Sequence, residues 1–169
     1  VTSKSNHSFS SNTNGYFLGW GLNLSGELGV GDTNSRSAPV SIGSVWKQIS
    51  CGHKYTTLIK IDGSLWSCGY NNYGQLGVGN TNSYSSPVQI GALTNWSKVK
   101  GGTRWSIGVK TDGTMWAWGY NTQGNLGQGD VYNRSSPVQI GTATVWKTFA
   151  LGSALNAIYP TMTVGAIRE

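Results

Sequence analysis

The stretch Leu65-Trp66-Ser67-Cys68-Gly69-Tyr70-Asn71-Asn72-Tyr73-Gly74-Gln75-Leu76-Gly77-Val78-Gly79 returns almost unchanged further along the chain. The second copy reads Met115-Trp116-Ala117-Trp118-Gly119-Tyr120-Asn121-Thr122-Gln123-Gly124-Asn125-Leu126-Gly127-Gln128-Gly129, and a looser one stands earlier, from Gly21 to Gly31. Each copy leads to a Pro-Val step (Pro39, Pro87, Pro137), an Ile-Gly pair and a tryptophan (Trp46, Trp96, Trp146). Successive prolines lie 48 and 50 residues apart. A fixed period of this length marks stacked supersecondary units, none of which can bury its apolar face alone.

One unit shows what is stacked. Trp46 to Cys51 alternates apolar and polar, as a half-buried strand does, and Tyr55 to Lys60 reads as a second strand after the break at Gly52. Asp62-Gly63 predicts a two-residue hairpin turn with positive φ at both central positions. Leu65 to Cys68 is the third strand, and Pro87 to Ile90 a short fourth with proline at its start, where a missing N–H is tolerated. The next unit matches in register through Trp96 to Gly101, Trp105 to Lys110, Asp112-Gly113, Met115 to Trp118 and Pro137 to Ile140.

Four short antiparallel strands per unit predict an all-β chain of propeller blades. The boundaries read as a polar arm or linker over 1–14, a partial blade over 15–45, full blades over 46–95 and 96–145, a partial blade over 146–159, and a tail over 160–169. Half, two and half sum to about three blade-equivalents, which one chain does not close into a ring, and open sheet edges are a liability. Trp46, Trp66, Trp96, Trp116 and Trp146 are predicted to wedge between blades; Gly74 and Gly124 serve the tight turns of the glycine-rich loops.

Composition agrees with this class. Glycine supplies 25 of 169 residues, aromatics are plentiful, and charged residues make up 11%. The net charge of +6 is scattered, with no basic run of the kind that marks a nucleic-acid surface. The two cysteines, Cys51 and Cys68, fit no zinc spacing and read as buried free thiols. No signal peptide or membrane-spanning run is present, so no membrane insertion is expected. The chain begins at Val1 rather than Met, as a processed product or a piece of a longer polypeptide would.

No constellation for catalysis is legible. The glycine-rich loops lack the Gly-Lys-Ser/Thr ending of a phosphate cradle. Asp62 and Asp112 sit on equivalent hairpins of separate blades, out of reach of one substrate atom, and His7 and His53 have no partner at a recognisable spacing. The sequence therefore predicts no enzyme, cofactor or metal. Recognition remains, since loops on a rigid framework carry function. His53-Lys54-Tyr55 and Thr103-Arg104-Trp105 set a cation beside an aromatic in equivalent loops, and Arg36, Tyr84 and Arg134 share the place before the Ser/Ala-Pro step. These nine residues are the predicted binding face for a protein or glycan.

The string Asp-Gly-x-Leu/Met-Trp-x-Cys/Trp-Gly-Tyr-Asn-x-x-Gly-x-Leu-Gly-x-Gly, followed by Ser-Pro-Val-Gln-Ile-Gly, closely resembles the regulator of chromosome condensation repeat. The likeness runs from residue 16 to about 158 and implies blades of a seven-bladed β-propeller. The family usually carries Gly-x-x-His after the first strand; here Tyr55, Trp105 and Leu155 stand in that place, and His53 is displaced by two. The founder is a guanine-nucleotide exchange factor for a small nuclear GTPase and binds nucleosomes, which makes an exchange-factor-like propeller the alternative reading. The form Asp-Gly-Thr/Ser-Leu/Met-Trp is closer to repeats of bacterial and phage virion proteins. That likeness implies a structural or adhesive module at a virion or cell surface. With open ends, the chain is expected to pair with a second copy, as a dimer completing a ring, or with the remainder of a longer polypeptide.

Overall fold

In the computed structural model, residues 2–4, 6–11, 16–43, 46–144 and 146 are described, and they contain strands and turns but no helix. Twelve strands form three antiparallel four-stranded sheets. The first holds β1 (Thr2–Lys4), β2 (His7–Ser11), β3 (Phe17–Gly21) and β4 (Arg36–Ser41). The second holds β5 (Trp46–Cys51), β6 (Tyr55–Lys60), β7 (Leu65–Gly69) and β8 (Tyr84–Gln89). The third holds β9 (Trp96–Gly101), β10 (Trp105–Lys110), β11 (Met115–Gly119) and β12 (Arg134–Gln139). Strand β5 meets both β1 and β9, one edge strand of each sheet, while β4, β8 and β12 are the opposite edges.

The first blade corrects the sequence reading. Residues 1–14 were expected as an arm, yet His7–Ser11 pairs with β3 through five register partners and Thr2–Lys4 pairs with β2. The physical reason is a short alternation, His7 and Phe9 inward, with Phe9 only 1% exposed in the core. The partial blade over 15–45 is thus a complete four-stranded one. The expected half-blade over 146–159 and the tail over 160–169 lie outside the described residues, except for Trp146.

The hairpin turn also differs from expectation. Gly63 N–H donates to Lys60 O and Lys60 N–H to Ser64 O, both at 3.0 Å, so the loop has three residues. Only Gly63 has positive φ (82°); Asp62 does not. This is a turn closed by a left-handed glycine, the form three-residue hairpins take. Asp62 selects it by accepting Ser64 N–H at 2.8 Å and Ser64 Oγ–H at 2.6 Å, and Ser64 Oγ in turn accepts Trp66 Nε1–H at 2.8 Å. The relay recurs in Asp112, Thr114 and Trp116 at 2.9, 2.7 and 2.8 Å, which explains why Asp-Gly-Ser/Thr-x-Trp travels as one motif. Both aspartate pKa values are lowered, first by the Ser64 or Thr114 hydroxyl bond and then by the backbone bond to the same residue.

The outer strand begins at Tyr84 rather than Pro87. Proline is tolerated inside it because β8 is an edge strand.

Blades are joined by their glycine-rich loops. Asn71 is buried as a strut: its Nδ2 donates to Asn80 O and Asn82 O, and its Oδ1 accepts Leu76 N–H. Asn23 and Asn121 occupy the same role. The braced loop leans onto the following blade, where Gly31 N–H donates to Ser85 O at 2.9 Å and Gly79 N–H to Ser135 O at 2.8 Å. Two apolar clusters fill these joints, one containing Trp46 and one Trp96, and a third containing Trp105 gathers residues of the third blade with Ile140 and Trp146. Trp66 and Trp116 are wedges of a different kind, half-exposed, with Lys60 and Lys110 Nζ each 3.6 Å from their ring centroids. Trp146 is half-buried against the third cluster. Cys51 and Cys68 are buried thiols outside any disulfide, as the sequence indicated.

Candidate functional site

The strand directions gather the short β5–β6 and β9–β10 turns and all three glycine-rich loops on one face; the Asp-Gly hairpins lie at the opposite end. All nine residues of the predicted binding face fall at the loop end. They do not act as one set.

Tyr55 and Trp105 are buried rather than presented. Tyr55 is fully enclosed; its hydroxyl donates to Trp105 O at 2.5 Å and accepts from Ser106 Oγ at 3.1 Å, tying blade 2 to blade 3. Burial pushes its pKa up. Sequence reasoning placed these aromatics at the surface because they follow a turn; they are in fact the first inward residues of β6 and β10.

Arg36, Arg134 and Tyr84 close their own loops. Arg36 pairs with Asp32 at 2.6 Å and Arg134 with Asp130 at 2.5 Å. Tyr84 accepts Asn80 Nδ2–H at 3.0 Å in the equivalent place. The carboxyls of Asp32 and Asp130 are held below the usual range, the first chiefly by the Arg36 hydrogen bond and the second chiefly by Tyr132 N–H. Exposed i,i+4 pairs of this kind contribute little to stability.

What stands clear on the face is a cation set on tyrosines. Arg104 is exposed, with Cζ 5.0 Å from the Tyr73 ring centroid and 5.8 Å from that of Tyr120. Tyr73 and Tyr120 meet edge-on at 5.2 Å, and Tyr70 extends the row at 6.3 Å from Tyr73. Tyr73 belongs to the loop of blade 2 and Tyr120 to blade 3, so the joint between blades builds the cluster. Lys54, the position in blade 2 equivalent to Arg104, is exposed and takes φ 62°. It is the one non-glycine residue with positive φ among the described residues, a costly backbone for a residue bearing Cβ. Neither Lys54 nor Arg104 forms a salt bridge among the described residues. His53 and Thr103 are half-buried beside them, with His53 N–H donating to Gly102 O at 3.1 Å. Tyr70, Tyr73 and Tyr120 were missed from sequence because they sit inside the repeat and read as framework.

A second buried polar joint underlies the loops. His7, 2% exposed, places Nε2 3.1 Å from Thr56 Oγ1, and Thr56 Oγ1 donates to Glu27 O at 2.7 Å. Burial, the largest effect, lowers the His7 pKa from 6.5 to about 4; a hydrogen bond to the Tyr55 backbone opposes this and His53 adds a smaller lowering. Between those values the unfolded chain binds more protons than the folded one, so His7 costs stability as pH falls from 6.5 towards 4. The loss at pH 4.5 relative to pH 7.5 is about 2–3 kcal/mol from this residue. Urea midpoints of the native chain should fall across that window, and those of His7→Gln should fall distinctly less; equal slopes would remove His7 as the cause.

Among the described residues no group of three His, Cys, Asp or Glu could hold a metal ion, and no helix is long and apolar enough to cross a membrane.

The model of the regulator of chromosome condensation (RCC1) repeat matches residues 14–59, 62–109 and 112–158, most of the chain. The chain belongs to the RCC1-repeat family. A second RCC1-repeat model matches residues 46–75. The chain is 32% identical over 65 residues to the human probable E3 ubiquitin-protein ligase HERC3, covering 36% of this chain and 6% of that protein. The structure is similar to that of Prp20p from Saccharomyces cerevisiae, at TM-score 0.75 and 22% identity, over 83% of this chain and 37% of Prp20p. It is also similar to human WBSCR16, at TM-score 0.71 and 23% identity, over 84% of this chain and 39% of that one. At such identities the likeness establishes the fold, a run of RCC1-type propeller blades. The chain spans well under half the length of each of these relatives.

Proposed function

We propose that this RCC1-repeat chain is a non-enzymatic docking module that engages a protein or glycan through its loop face. The observation that carries the reading is Arg104 lying over Tyr73 and Tyr120 with no salt-bridge partner among the described residues, beside exposed Lys54. Arginine and tyrosine dominate binding hot spots because they bring large contact area and directional donors at low entropic cost. Tyrosine faces suit the apolar sides of sugar rings equally well. We place the module at a virion or cell surface, the setting implied by the Asp-Gly-Thr/Ser-Leu/Met-Trp form of its repeats.

A protein array and a glycan array probed with the labelled chain test this. Arg104→Ala with Tyr73→Ala should weaken captured binding by about 10-fold or more, since each hot-spot truncation costs about 1–2 kcal/mol. Unchanged binding by a folded double variant would overturn it. A second reading is exchange-factor-like action on a small GTPase; its support is that Prp20p is described with binding properties to Gsp1p and histones. Accelerated nucleotide release from a GTPase panel would favour that reading.

A further inference from the structure

We infer that the ligand of the loop face is a carboxylate-bearing glycan, its acid group held by Arg104 and Lys54 beside a row of three tyrosines. The assignment rests on the docking role proposed above and names the class of partner.

Backbone hydrogen bonds set the two cations. His53 N–H donates to Gly102 O at 3.1 Å and so holds the β5–β6 and β9–β10 turns side by side. Tyr70 N–H donates to Lys54 O at 2.8 Å and Tyr120 N–H to Arg104 O at 2.9 Å, which seats each cation next to a tyrosine of its own blade. Tyr73 joins the pair, edge-on to Tyr70 at 6.3 Å and to Tyr120 at 5.2 Å. The Arg104 guanidinium lies over the rings of Tyr73 and Tyr120, 5.0 and 5.8 Å from their centroids. A guanidinium held by its face keeps the donors at its edge for a ligand, and that planar fork matches a carboxylate.

No acid among the described residues neutralises this strip. Asp32 and Asp130 are paired with Arg36 and Arg134, and Glu27 is fully buried. Asp62 and Asp112 turn the hairpins at the opposite end. Lys54 keeps its charge at a φ of 62°, where a glycine would sit without strain. An unneutralised strip of this kind draws an anion.

The neighbours of the cations favour sugar over protein. A protein-binding patch centres on apolar side chains that lose water on contact. Here the exposed residues flanking the tyrosines in the chain are Asn72, Thr122 and Gln123, two amides and a hydroxyl. No large apolar residue is exposed over residues 70–83, the loop of blade 2. In the third loop the exposed Val131 and Tyr132 stand just before the edge strand β12, at the other end of that loop from Tyr120. Amides, a hydroxyl and phenols are donors and acceptors suited to a hydroxyl-rich ligand.

Biolayer interferometry with the full chain tests this on three sets of immobilised probes. These are oligosaccharides ending in glucuronate, galacturonate or sialate, the same sugars with the carboxyl reduced to the alcohol, and a poly-glutamate peptide. At least one carboxylated glycan should bind, with its reduced form and poly-glutamate each weaker by about 10-fold or more. Arg104→Lys keeps the charge but loses the fork, and should weaken binding by roughly 5-fold or more. Lys54→Gly relieves the left-handed backbone, so it should keep or raise the thermal midpoint while weakening binding. A purely structural role for Lys54 would not give that split. Binding of no carboxylated glycan, or equal binding of a glycan and its reduced form, would overturn the assignment. Capture of poly-glutamate alone, lost in Arg104→Ala, would overturn it too but leave the loop face as a docking site. Binding of a probe that Arg104→Ala does not change would overturn both.

Discussion

Gly74→Ala should break the joint between the second and third blades, while Gly124→Ala, chemically the same change in the next repeat, should leave the dilute chain folded. Both positions have left-handed φ, 76° and 71°, so each substitution costs about 1–2 kcal/mol of backbone strain. The surroundings decide the rest. A methyl at Gly74 lies 2.6 Å from Ser135 Cα and 2.9 Å from Arg134 O, both backbone atoms that cannot turn aside. Overpacking of that kind adds about 1–3 kcal/mol. At Gly124 the methyl meets nothing within 4 Å among the described residues. Thermal unfolding at low concentration should separate the two variants by several degrees, at roughly 2–4 °C per kcal/mol for a chain of this size. Equal midpoints would mean that the loop does not carry the joint.

Trp118→Ala should be the most damaging single truncation, at about 3–5 kcal/mol. The side chain is fully buried, meets Trp96 edge-on at 5.9 Å, and donates from Nε1 to Gln75 O at 3.0 Å across the blade boundary. Its removal opens a cavity where the glycine-rich loop rests, since Gly77 packs directly on the indole. Trp66→Ala offers the contrast. That ring is half-exposed beneath Lys60, so its loss forfeits a smaller burial and a cation–π contact. Denaturant midpoints should rank Trp118→Ala well below Trp66→Ala, and the reverse order would contradict the packing described.

The repeat made the blades legible because each carries local signals of its own: alternation in β5 and β9, Asp-Gly at the hairpin, glycine where the loop turns. Thr2–Lys4 and His7–Ser11 were read as an arm because they lack those signals. Their place is settled by pairing, His7–Ser11 with β3 and Thr2–Lys4 with β2, which no repeat signal within 1–14 announces. The proposed binding face was half legible. Lys54 and Arg104 stand out where repeats vary, but which neighbours they meet depends on a loop crossing to the next blade, which no single repeat displays. Tyr55 and Trp105 were misplaced for the same reason: the turn before them is at the surface, yet their side chains fill the space between sheets. Glycine in the loops was correctly read as turn-forming, but its second duty, admitting the backbone of the next blade, appears only when blades are stacked.

Amide hydrogen exchange of Gly31, Gly79 and Gly129 in one dilute sample tests the stacking most directly. Gly31 and Gly79 N–H donate to the carbonyls of Ser85 and Ser135 and should exchange slowly, with protection approaching that of the β6 and β10 amides. Gly129 N–H, which has no such partner among the described residues, should exchange faster than either. Exchange at Gly31 and Gly79 as fast as at Gly129 in a folded chain would contradict the loop-to-blade joint on which the fold and the proposed binding face rest.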